Sequence, residues 1–382
     1  MSSFIFLIYI YSDTNLRKIS KPLNDSGCFT INKSRLPGHL PVGDRCNEKH
    51  YKLFRTRSGT HRFKTMKTYD TSTPWADKLQ FRPVTKELVP LLEKYFNAYP
   101  SRSCDFSVAG VIMWAEYYDY EYAEYSDTLF IRGVDPESHV MIYYRPVGKM
   151  TEEDYMMLIA EATPADVNAE ILMPMESDTE SQESLEQSVR TEASLKEYLY
   201  PIERFIGFAG KKMEKKRNHL NFFLRNYGDA AIEPIDTSNR DELIAFTENF
   251  ASMHEDSTMA LYESDKTIEA LADFDRYTYD GLVIRLDGKV IGYTFGEKIG
   301  DTFFVHVEKG DIAFRGIYQA LACFMSRLVQ EKYPDVKYLN REEDMGDESL
   351  RKSKESYHPT LFVNKRIENI PVLYGKTILR IA

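Results

Sequence analysis

The strongest folding signal lies between residues 281 and 308, where tight turns join three apolar segments. These segments read GLVIRL, KVIGYTFGEKI and TFFVHVE. Asp287–Gly288 separates the first two, and Asp-Gly favours the two-residue turn of a β-hairpin. Gly300–Asp301 turns the chain again before the third segment. The pattern therefore predicts three consecutive antiparallel strands.

Amphipathic helices flank these strands. Thr237–His254 is predicted as one helix, and Arg315–Tyr333 as another that ends before Pro334. The segment VKYLNRE then predicts one more strand. Helix, three antiparallel strands, helix and strand indicate an α+β fold, in the element order of N-acyltransferases of the GNAT fold. The apolar residues at helical spacing are Leu243, Phe246 and Phe250 in the first helix and Ile317, Leu321, Phe324 and Leu328 in the second.

The first half of the chain gives weaker signals. Residues 79–96 predict a short strand followed by a helix, and residues 127–144 predict a hairpin. Residues 176–194 hold six acids, one arginine and five serines, which is typical of a mobile insertion or of a polar helix. Pro201–Tyr227 is predicted as one long helix.

Composition limits the class of protein. A length of 382 residues corresponds to about two domains, and 43% apolar with 28% charged residues is typical of a globular protein. Four cysteines without a CxxC pair argue against a disulfide framework or zinc ribbon, so we expect a reducing, cytoplasmic setting. No run approaches the roughly 18 apolar residues of a membrane span. The eight histidines form no metal-ligand motif, and no metal is expected.

Charge is distributed unevenly along the chain. Residues 1–74 carry 13 Lys/Arg against 5 Asp/Glu, whereas the remainder carries 36 against 54. A basic arm for nucleic acid is one interpretation of this head. The other is an unstructured leader or a start assigned too far upstream, with Met66 as the alternative first residue.

Four segments resemble signature blocks of a bacterial family. They read SCDFSVAGVIMWAEYYDYEYAEYSDTL, YLYPIERFIGFAGKKMEKKRNHLNFF, HVEKGDIAFRGIYQA and YLNREEDMGDESLRKSKESYHP. The family is related to the C-terminal catalytic domain of phosphatidylglycerol lysyltransferase, and the resemblance covers about residues 78–366. It implies two GNAT-like domains in tandem, as in the Fem-type aminoacyl-tRNA-dependent transferases. The membrane-spanning half of the lysyltransferase has no counterpart among these segments, which argues against a lipid acceptor.

The resemblance implies transfer of an aminoacyl group from a tRNA ester, a reaction that requires cations for the tRNA phosphates. The segment KKMEKKRNH supplies them on a predicted helix, where Lys212, Lys216 and His219 share a face. A phosphate track and a solvated helix face both account for this run. The candidate tRNA-binding residues are Lys211, Lys212, Lys215, Lys216, Arg217 and His219.

The third strand supplies the candidate catalytic residues. Alternation places Phe304, His306 and Glu308 on one face of the sheet. In GNAT folds this strand flanks the acyl-donor cleft, so the resemblance implies that Glu308 binds or deprotonates the acceptor amine, with assistance from His306. The alternative is that both are satisfied polar groups near a sheet edge.

The start of the next helix bears on the acyl donor. Acetyl-coenzyme A enzymes of this fold carry Gln/Arg-x-x-Gly-x-Gly/Ala there, and free amides at a helix start bind anions. Aligned on Gly316, this chain has Ala313 and Tyr318 at the outer positions. A tyrosine there would crowd a pyrophosphate, which argues against coenzyme A. Arg315 remains a candidate anion contact.

The segment after the last strand mixes charges of both signs. Charges this dense are costly to bury unpaired, so they form either a polar site or an ion-paired connection. The resemblance places this segment at the rim of the substrate cleft. The candidates for binding the aminoacyl group and its acceptor are Asn340, Arg341, Glu342, Asp344, Arg351, Lys352 and Tyr357.

An aromatic block in the first half has two interpretations. Its rings either stack on nucleobases or pack in the core. Cys104, just before this block, is expected to be a small buried hydrophobe. The aromatic residues are Trp114, Tyr117, Tyr118, Tyr120, Tyr122 and Tyr125.

Together these features predict an α+β protein of two tandem GNAT-like domains, with mixed central sheets flanked by helices. The domains are expected at about 78–200 and 201–382, with the basic helix at their junction. The predicted function is transfer of an aminoacyl group from charged tRNA to an amine or hydroxyl, without a further cofactor. The alternatives are a coenzyme A-dependent N-acetyltransferase and a non-catalytic RNA- or peptide-binding module on a degenerate transferase fold.

Overall fold

The computed structural model describes most of the chain after residue 77. Residues 78–370 belong to one compact unit, and two short hairpins at 53–62 and 373–378 belong to a second. Apart from the first hairpin, the basic head at 1–74 lies outside the described residues. The described residues are 53–56, 59–62, 78–164, 166–252, 258–370, 373–374 and 377–378.

The described strands belong to both units, and those of the larger unit form its centre. In chain order the described strands are β1 (Leu53–Thr56), β2 (Gly59–Arg62), β3 (Arg82–Pro83), β4 (Glu121–Tyr125), β5 (Thr128–Val134), β6 (Met141–Tyr144), β7 (Val147–Gly148), β8 (Ala169–Asp178), β9 (Glu197–Pro201), β10 (Ala231–Pro234), β11 (Tyr279–Leu286), β12 (Lys289–Ile299), β13 (Thr302–Gly310), β14 (Tyr338–Glu343), β15 (Leu361–Asn369), β16 (Leu373–Tyr374) and β17 (Thr377–Ile378).

Helices flank the strands. The described α-helices are α1 (Val89–Ala98), α2 (Val108–Trp114), α3 (Glu152–Ala162), α4 (Gln182–Ser188), α5 (Glu214–Asn226), α6 (Arg240–Ser252), α7 (Thr258–Ala272), α8 (Ile317–Lys332) and α9 (Glu348–Glu355).

Strands β3 to β15 form one mixed sheet. Its hydrogen-bonded order is β10-β11-β12-β13-β14-β9-β15-β8-β6-β5-β4-β3, with β7 paired to β5. Neighbouring strands are antiparallel except for the pairs β13–β14 and β6–β8, which are parallel. The three predicted consecutive strands are β11, β12 and β13, and the turn between β11 and β12 has positive φ at both Asp287 and Gly288, as its sequence predicts. The predicted α+β architecture with a mixed sheet flanked by helices is confirmed.

The sheet runs without a break across the predicted domain boundary. Strand β9, which ends at Pro201, pairs with β14 on one side and β15 on the other. Strand β15, from the C-terminal part of the chain, lies antiparallel to β8 along its whole length. The division into 78–200 and 201–382 stays a prediction, and in the structure it falls at the end of a central strand.

Two apolar clusters cover the two faces of β11–β13. Side chains alternate along β11, so Leu282 and Ile284 pack with α5 and α8, whereas Val283 packs in the cluster that includes α1, α2 and α6. We call the cluster that holds Val283 the first cluster and the one that holds Leu282 the second cluster. This alternation is what a strand buried on both faces requires.

Most of the aromatic block packs in the first cluster. Trp114, Tyr118 and Tyr120 are buried, and Tyr118 stacks on Tyr120 with ring centroids 5.4 Å apart. Cys104 is also buried in this cluster. Of the two interpretations of the aromatic residues, packing in the core is confirmed for these three rings.

The prediction of a single helix over Pro201–Tyr227 is wrong in its first half. Chain from Ile202 to Arg204 forms a short 3-10 helix, and α5 begins only at Glu214. Phe208 and Gly210 have positive φ, which a continuous helix does not allow. The interruption lets Phe205 stack on Tyr357 at 5.3 Å, a tertiary contact that sequence periodicity does not reveal.

Helix α7 has no counterpart among the predicted elements. Its buried face includes Glu263, Ser264 and Thr267 as well as apolar residues. A helix with polar residues on its inner face lacks the apolar stripe by which amphipathic helices are identified. The acidic segment at 176–194 contains α4, so part of it is helical.

Candidate active site

Strands β13 and β14 separate soon after they begin. They pair in parallel only where Thr302–Phe304 lies beside Tyr338–Asn340, although β13 continues to Gly310 and β14 to Glu343. Two ion pairs bridge the gap that opens between the strands. Glu308 accepts a hydrogen bond from Arg341 at 2.6 Å, and Nδ1 of His306 lies 2.8 Å from Glu342.

A β-bulge directs His306 and Glu308 to opposite faces of the sheet. Gly296 pairs with Val305 and Phe295 with Val307, which leaves His306 as the extra residue. His306 stacks on Phe304 of the first cluster. The predicted common face of Phe304, His306 and Glu308 is therefore wrong, because a bulge interrupts strict alternation.

Glu308 faces the second cluster through its partner Arg341. The Arg341 guanidinium lies 5.1 Å from the centre of the Tyr357 ring and 5.9 Å from that of Phe205, and both rings belong to the second cluster. The two charged groups thus sit against buried aromatic rings, where an ion pair is screened little by solvent.

His306 is held as a cation by two carboxylates. Its Nε2 lies 3.0 Å from Glu297, and its Nδ1 contacts Glu342. Burial alone would lower the pKa of His306, but the hydrogen bonds and charges of the two glutamates outweigh it and raise that pKa to about 9. Because both ring nitrogens donate to carboxylates at neutral pH, His306 has no lone pair for an acceptor proton. This geometry suits a positioning residue better than a general base.

Glu308 has the environment of a proton acceptor. Burial raises its pKa, while the charges of Arg341 and Lys354 oppose that rise. A carboxylate with a raised pKa takes up a proton more readily at neutral pH than an ordinary glutamate. Glu308, the predicted catalytic residue, therefore lies beside the permanent charge of Arg341 in a site that is largely shielded from solvent.

Helix α5 contributes one lysine to this site. Nζ of Lys216 lies 3.7 Å from the centre of the Tyr357 ring, and burial together with the Arg341 charge lowers the pKa of Lys216 to about 8. Gln319 on α8 donates to the hydroxyl of Tyr357 at 2.8 Å. The structure thus brings Glu308, Arg341, Tyr357 and Lys216 together; we call these four residues the candidate active site.

Four predicted substrate-binding residues are committed to other partners. Asn340 donates to Glu197 at 2.5 Å and to the Arg102 carbonyl at 2.7 Å. Asp344 accepts two hydrogen bonds from Arg351, at 2.7 and 2.8 Å. Lys352 is exposed and pairs with Glu348 one turn earlier on α9. These contacts fit the ion-paired connection that was the alternative interpretation of this segment.

The other candidate tRNA-binding residues divide into two groups. His219 lies on the inner side of α5, and burial and the charges of Arg315 and Lys216 lower its pKa. Lys211 and Lys212 precede the helix, so the predicted face of Lys212, Lys216 and His219 does not form as expected. Lys211, Lys212 and Lys215 are exposed, and Arg217 donates to the carbonyls of Phe208 and Gly210.

Tyr318 and Arg315 lie at the start of α8. Tyr318 is half-buried, and burial and the nearby Glu308 charge raise the pKa of its hydroxyl. Arg315 is exposed and lies over the ring of Phe222, 4.6 Å from the ring centre.

Two residues near the site gave no recognised signal in the sequence. Lys354 of α9 is buried and donates to the backbone carbonyls of Arg341 and Glu343, the latter at 2.6 Å. Its position in the charged run RKSKE predicts a solvent-exposed lysine instead. Glu297, the partner of His306, is a buried acid in the mostly apolar segment of β12. A single acid in such a segment is the one sequence feature that could have indicated it.

A separate group of buried charged residues lies where β9, β14 and β15 meet. Nζ of Lys365 contacts Asp105 at 2.5 Å, Glu197 at 2.6 Å and Glu343 at 3.1 Å. Cys104, Asp105 and Glu343 are close enough to hold a metal ion. The Lys365 ammonium already pairs with these carboxylates, however, and burial raises the pKa of the Cys104 thiol, which disfavours the thiolate that a metal needs.

Comparisons with known proteins show what the chain is similar to. Residues 96–365 match the family described as phosphatidylglycerol lysyltransferase, C-terminal. A conserved protein of unknown function from Bacteroides thetaiotaomicron is 26% identical, with a TM-score of 0.67 over 76% of this chain and 99% of that one. The C-terminal domain named as that of a lysylphosphatidylglycerol synthetase from Agrobacterium fabrum is 15% identical, with a TM-score of 0.50 over 74% and 90% of the two chains.

A curated relative extends the comparison. An uncharacterised protein of Mycoplasmoides gallisepticum is 27% identical over 179 residues, which is 45% of this chain and 56% of that protein. The chain therefore spans just over half the length of that relative.

Among the residues that the structure describes, none of the helices has the length and apolar character needed to cross a membrane. The family match covers more than half of the chain and includes every residue of the candidate active site. The α+β fold expected from the sequence, with a mixed sheet flanked by helices, is confirmed, and the chain belongs to the acyltransferase family of the phosphatidylglycerol lysyltransferase C-terminal domain.

Proposed function

We propose that this protein transfers an aminoacyl group from charged tRNA to an amine or hydroxyl acceptor in the cytoplasm. The family description names a lysyltransferase, a reaction of this chemical class. The observation that carries the proposal is the meeting of Glu308, Arg341, Tyr357 and Lys216 at the gap between β13 and β14. These residues supply a proton acceptor, a fixed cation and a proton donor in one place.

The candidate active site contains a residue for each step of an acyl transfer. The acceptor nitrogen attacks the ester carbonyl, and its proton passes to Glu308, whose pKa is raised by burial. Arg341 stabilises the oxyanion that forms, because its charge is fixed and poorly solvated. The new carbon–nitrogen bond then displaces the ribose oxygen of tRNA, which takes its proton from Lys216.

The pKa of Lys216 fits this last role. A lysine with a pKa near 8 is protonated at neutral pH yet gives up its proton more easily than an ordinary lysine. His306 holds Glu342 on β14, directly after Arg341, and so fixes the direction of the Arg341 side chain without touching substrate.

The test is transfer of radiolabelled amino acid from charged tRNA to ethanolamine by the full chain. We expect Glu308→Gln and Arg341→Ala each to lower the rate by 100-fold or more, since general-base and oxyanion contributions are about that large. Glu348→Gln, at an exposed glutamate of α9, is the matched control and should keep the wild-type rate.

Circular dichroism would verify that the variants remain folded. Wild-type rates in both Glu308→Gln and Arg341→Ala would show that the site is assigned wrongly. Transfer of acetyl groups from acetyl-coenzyme A, with none from charged tRNA, would instead favour the N-acetyltransferase alternative.

A further inference from the structure

Helix α5 has a second, outward side that the proposed chemistry does not use. Its inner residue Lys216 faces the candidate active site. Its outer residues include Asn218, Asn221 and Arg225, which are exposed. The helix thus separates the reaction site from a solvent-exposed surface.

The outer surface carries cations that lack acidic partners. Helix α5 holds four Lys/Arg against one Glu. Within the described part of the chain, Lys215, Arg225 and Arg315 form no ion pair with Asp or Glu. Exposed lysines elsewhere do pair, as Lys149 does with Asp127 at 2.9 Å. In a protein of net charge −10, an unpaired group of cations favours a polyanionic partner.

An open depression lies beside these cations. It has a volume of about 700 Å³, within the range of small-ligand pockets, and Phe222 forms part of its wall. The guanidinium carbon of Arg315 lies over the Phe222 ring, 4.6 Å from the ring centre. The residues that line it are Asn218, Asn221, Phe222, Leu224, Arg225 and Arg315.

These groups match the chemistry of an unpaired nucleotide. Bases of single-stranded RNA stack on aromatic rings and on arginine planes, which the Phe222–Arg315 pair offers together. The amides of Asn218 and Asn221 lie one turn apart and can bond base edges, and Arg225 can hold a phosphate. A lipid headgroup has no planar ring to stack and would not need an aromatic surface flanked by amides.

We propose that the outer side of α5, together with Arg315, binds single-stranded RNA, with one base stacked on the Phe222–Arg315 pair. The inference rests on the proposed function, in which RNA carries the acyl group. From Lys215 to Arg225 the surface extends about 15 Å, which accommodates a few nucleotides.

The test is fluorescence anisotropy of a labelled eight-nucleotide single-stranded RNA with a free 3′ end, bound to the full chain at several salt concentrations. We expect Phe222→Ala and Phe222→Leu to weaken binding by about tenfold, since both remove the stacking ring. Arg315→Gln should weaken it and reduce the salt slope by about one. Phe222→Leu keeps an apolar side chain and so guards against loss of folding.

A matched pair in the first half serves as control. Arg82 lies over the Tyr122 ring at 5.1 Å, so Arg82→Gln removes a matched cation from a ring elsewhere and should leave binding unchanged. Wild-type RNA affinity in the Phe222 and Arg315 variants would overturn the inference. Binding to phosphatidylglycerol vesicles but not to the RNA would overturn it as well.

Transfer from charged tRNA, measured on the same samples, separates the two proposals. Unchanged RNA binding in the variants with active transfer in the wild type would refute the inference alone. Absence of both RNA binding and transfer in the wild type would refute the proposed function too.

Discussion

At the scale of single residues, His306 shows how a buried charge is stabilised. Burial disfavours the imidazolium, yet Glu297 and Glu342 each accept a hydrogen bond from it. The pKa of His306 is consequently near 9 rather than near its unfolded value of about 6.5. A histidine with a raised pKa stabilises the folded state below its unfolded pKa, and this contribution disappears as the pH rises through the folded pKa.

The free energy of unfolding should reflect this charge. We expect the difference in stability between wild type and His306→Gln to be complete at pH 6 and to shrink by about 3 kcal/mol by pH 10, since each unit of pKa shift corresponds to about 1.4 kcal/mol. Guanidinium unfolding of both proteins at several pH values measures it. A difference that stays constant over this range would contradict the assigned pKa.

The sequence, through its family resemblance, predicted part of this site. Glu308, Arg341 and Tyr357 were selected from the family resemblance, and the structure brings them together. The separation of His306 from Glu308 was not predictable, because a bulge depends on the register with β12. Asn340 and Asp344 were selected on the same pattern, but Glu197 and Arg351 bind them. Glu197 lies 143 residues before Asn340, so sequence spacing does not reveal that contact.

At the scale of elements, β14 is held in an irregular conformation. Glu342 has a φ of 59°, in the left-handed region that non-glycine residues seldom adopt. The Lys354 ammonium donates to the carbonyls on both sides of it, those of Arg341 and Glu343. Strained backbone of this kind persists only where surrounding contacts hold it, and it is often found at functional sites.

Removal of this contact should destabilise the protein. We expect Lys354→Met to lower the free energy of unfolding by about 2–3 kcal/mol, because it leaves two buried carbonyls without donors. Lys352→Met, two residues earlier on α9, removes an exposed lysine and should change stability by less than about 0.5 kcal/mol. Urea unfolding compares them. Equal stability of the two variants would mean that Lys354 does not hold β14.

Elements also differ in how well sequence predicts them. Helix α8 and strands β11–β13 were predicted nearly to their ends, because each has a strong apolar period and a clear turn or stop. Helix α7 was missed because its buried face contains Glu263 and Thr267. The failures of helix prediction at α7 and at residues 201–213 concern segments whose conformation depends on tertiary contacts.

At the scale of the whole molecule, buried polar contacts join the two halves of the sheet. Lys365 of β15 reaches Asp105 from the first half and Glu343 of β14 from the second. Arg102 likewise donates to Asp301, at 2.9 and 2.8 Å. Separation of the halves would leave buried charges unpaired, which is strongly destabilising. The two halves are therefore expected to fold together. A domain boundary read from the sequence does not predict this, because the contacts join residues that are far apart in the chain.

The central claim for the molecule as a whole is that its acyl donor is charged tRNA. The most direct measurement compares binding of charged tRNA and of acetyl-coenzyme A to the full chain at 50 and 200 mM salt. We predict tRNA binding that weakens steeply with salt and that falls when Lys211, Lys215, Lys216 and Arg217 are neutralised together. We predict no binding of acetyl-coenzyme A. Binding of acetyl-coenzyme A without affinity for charged tRNA would contradict the claim.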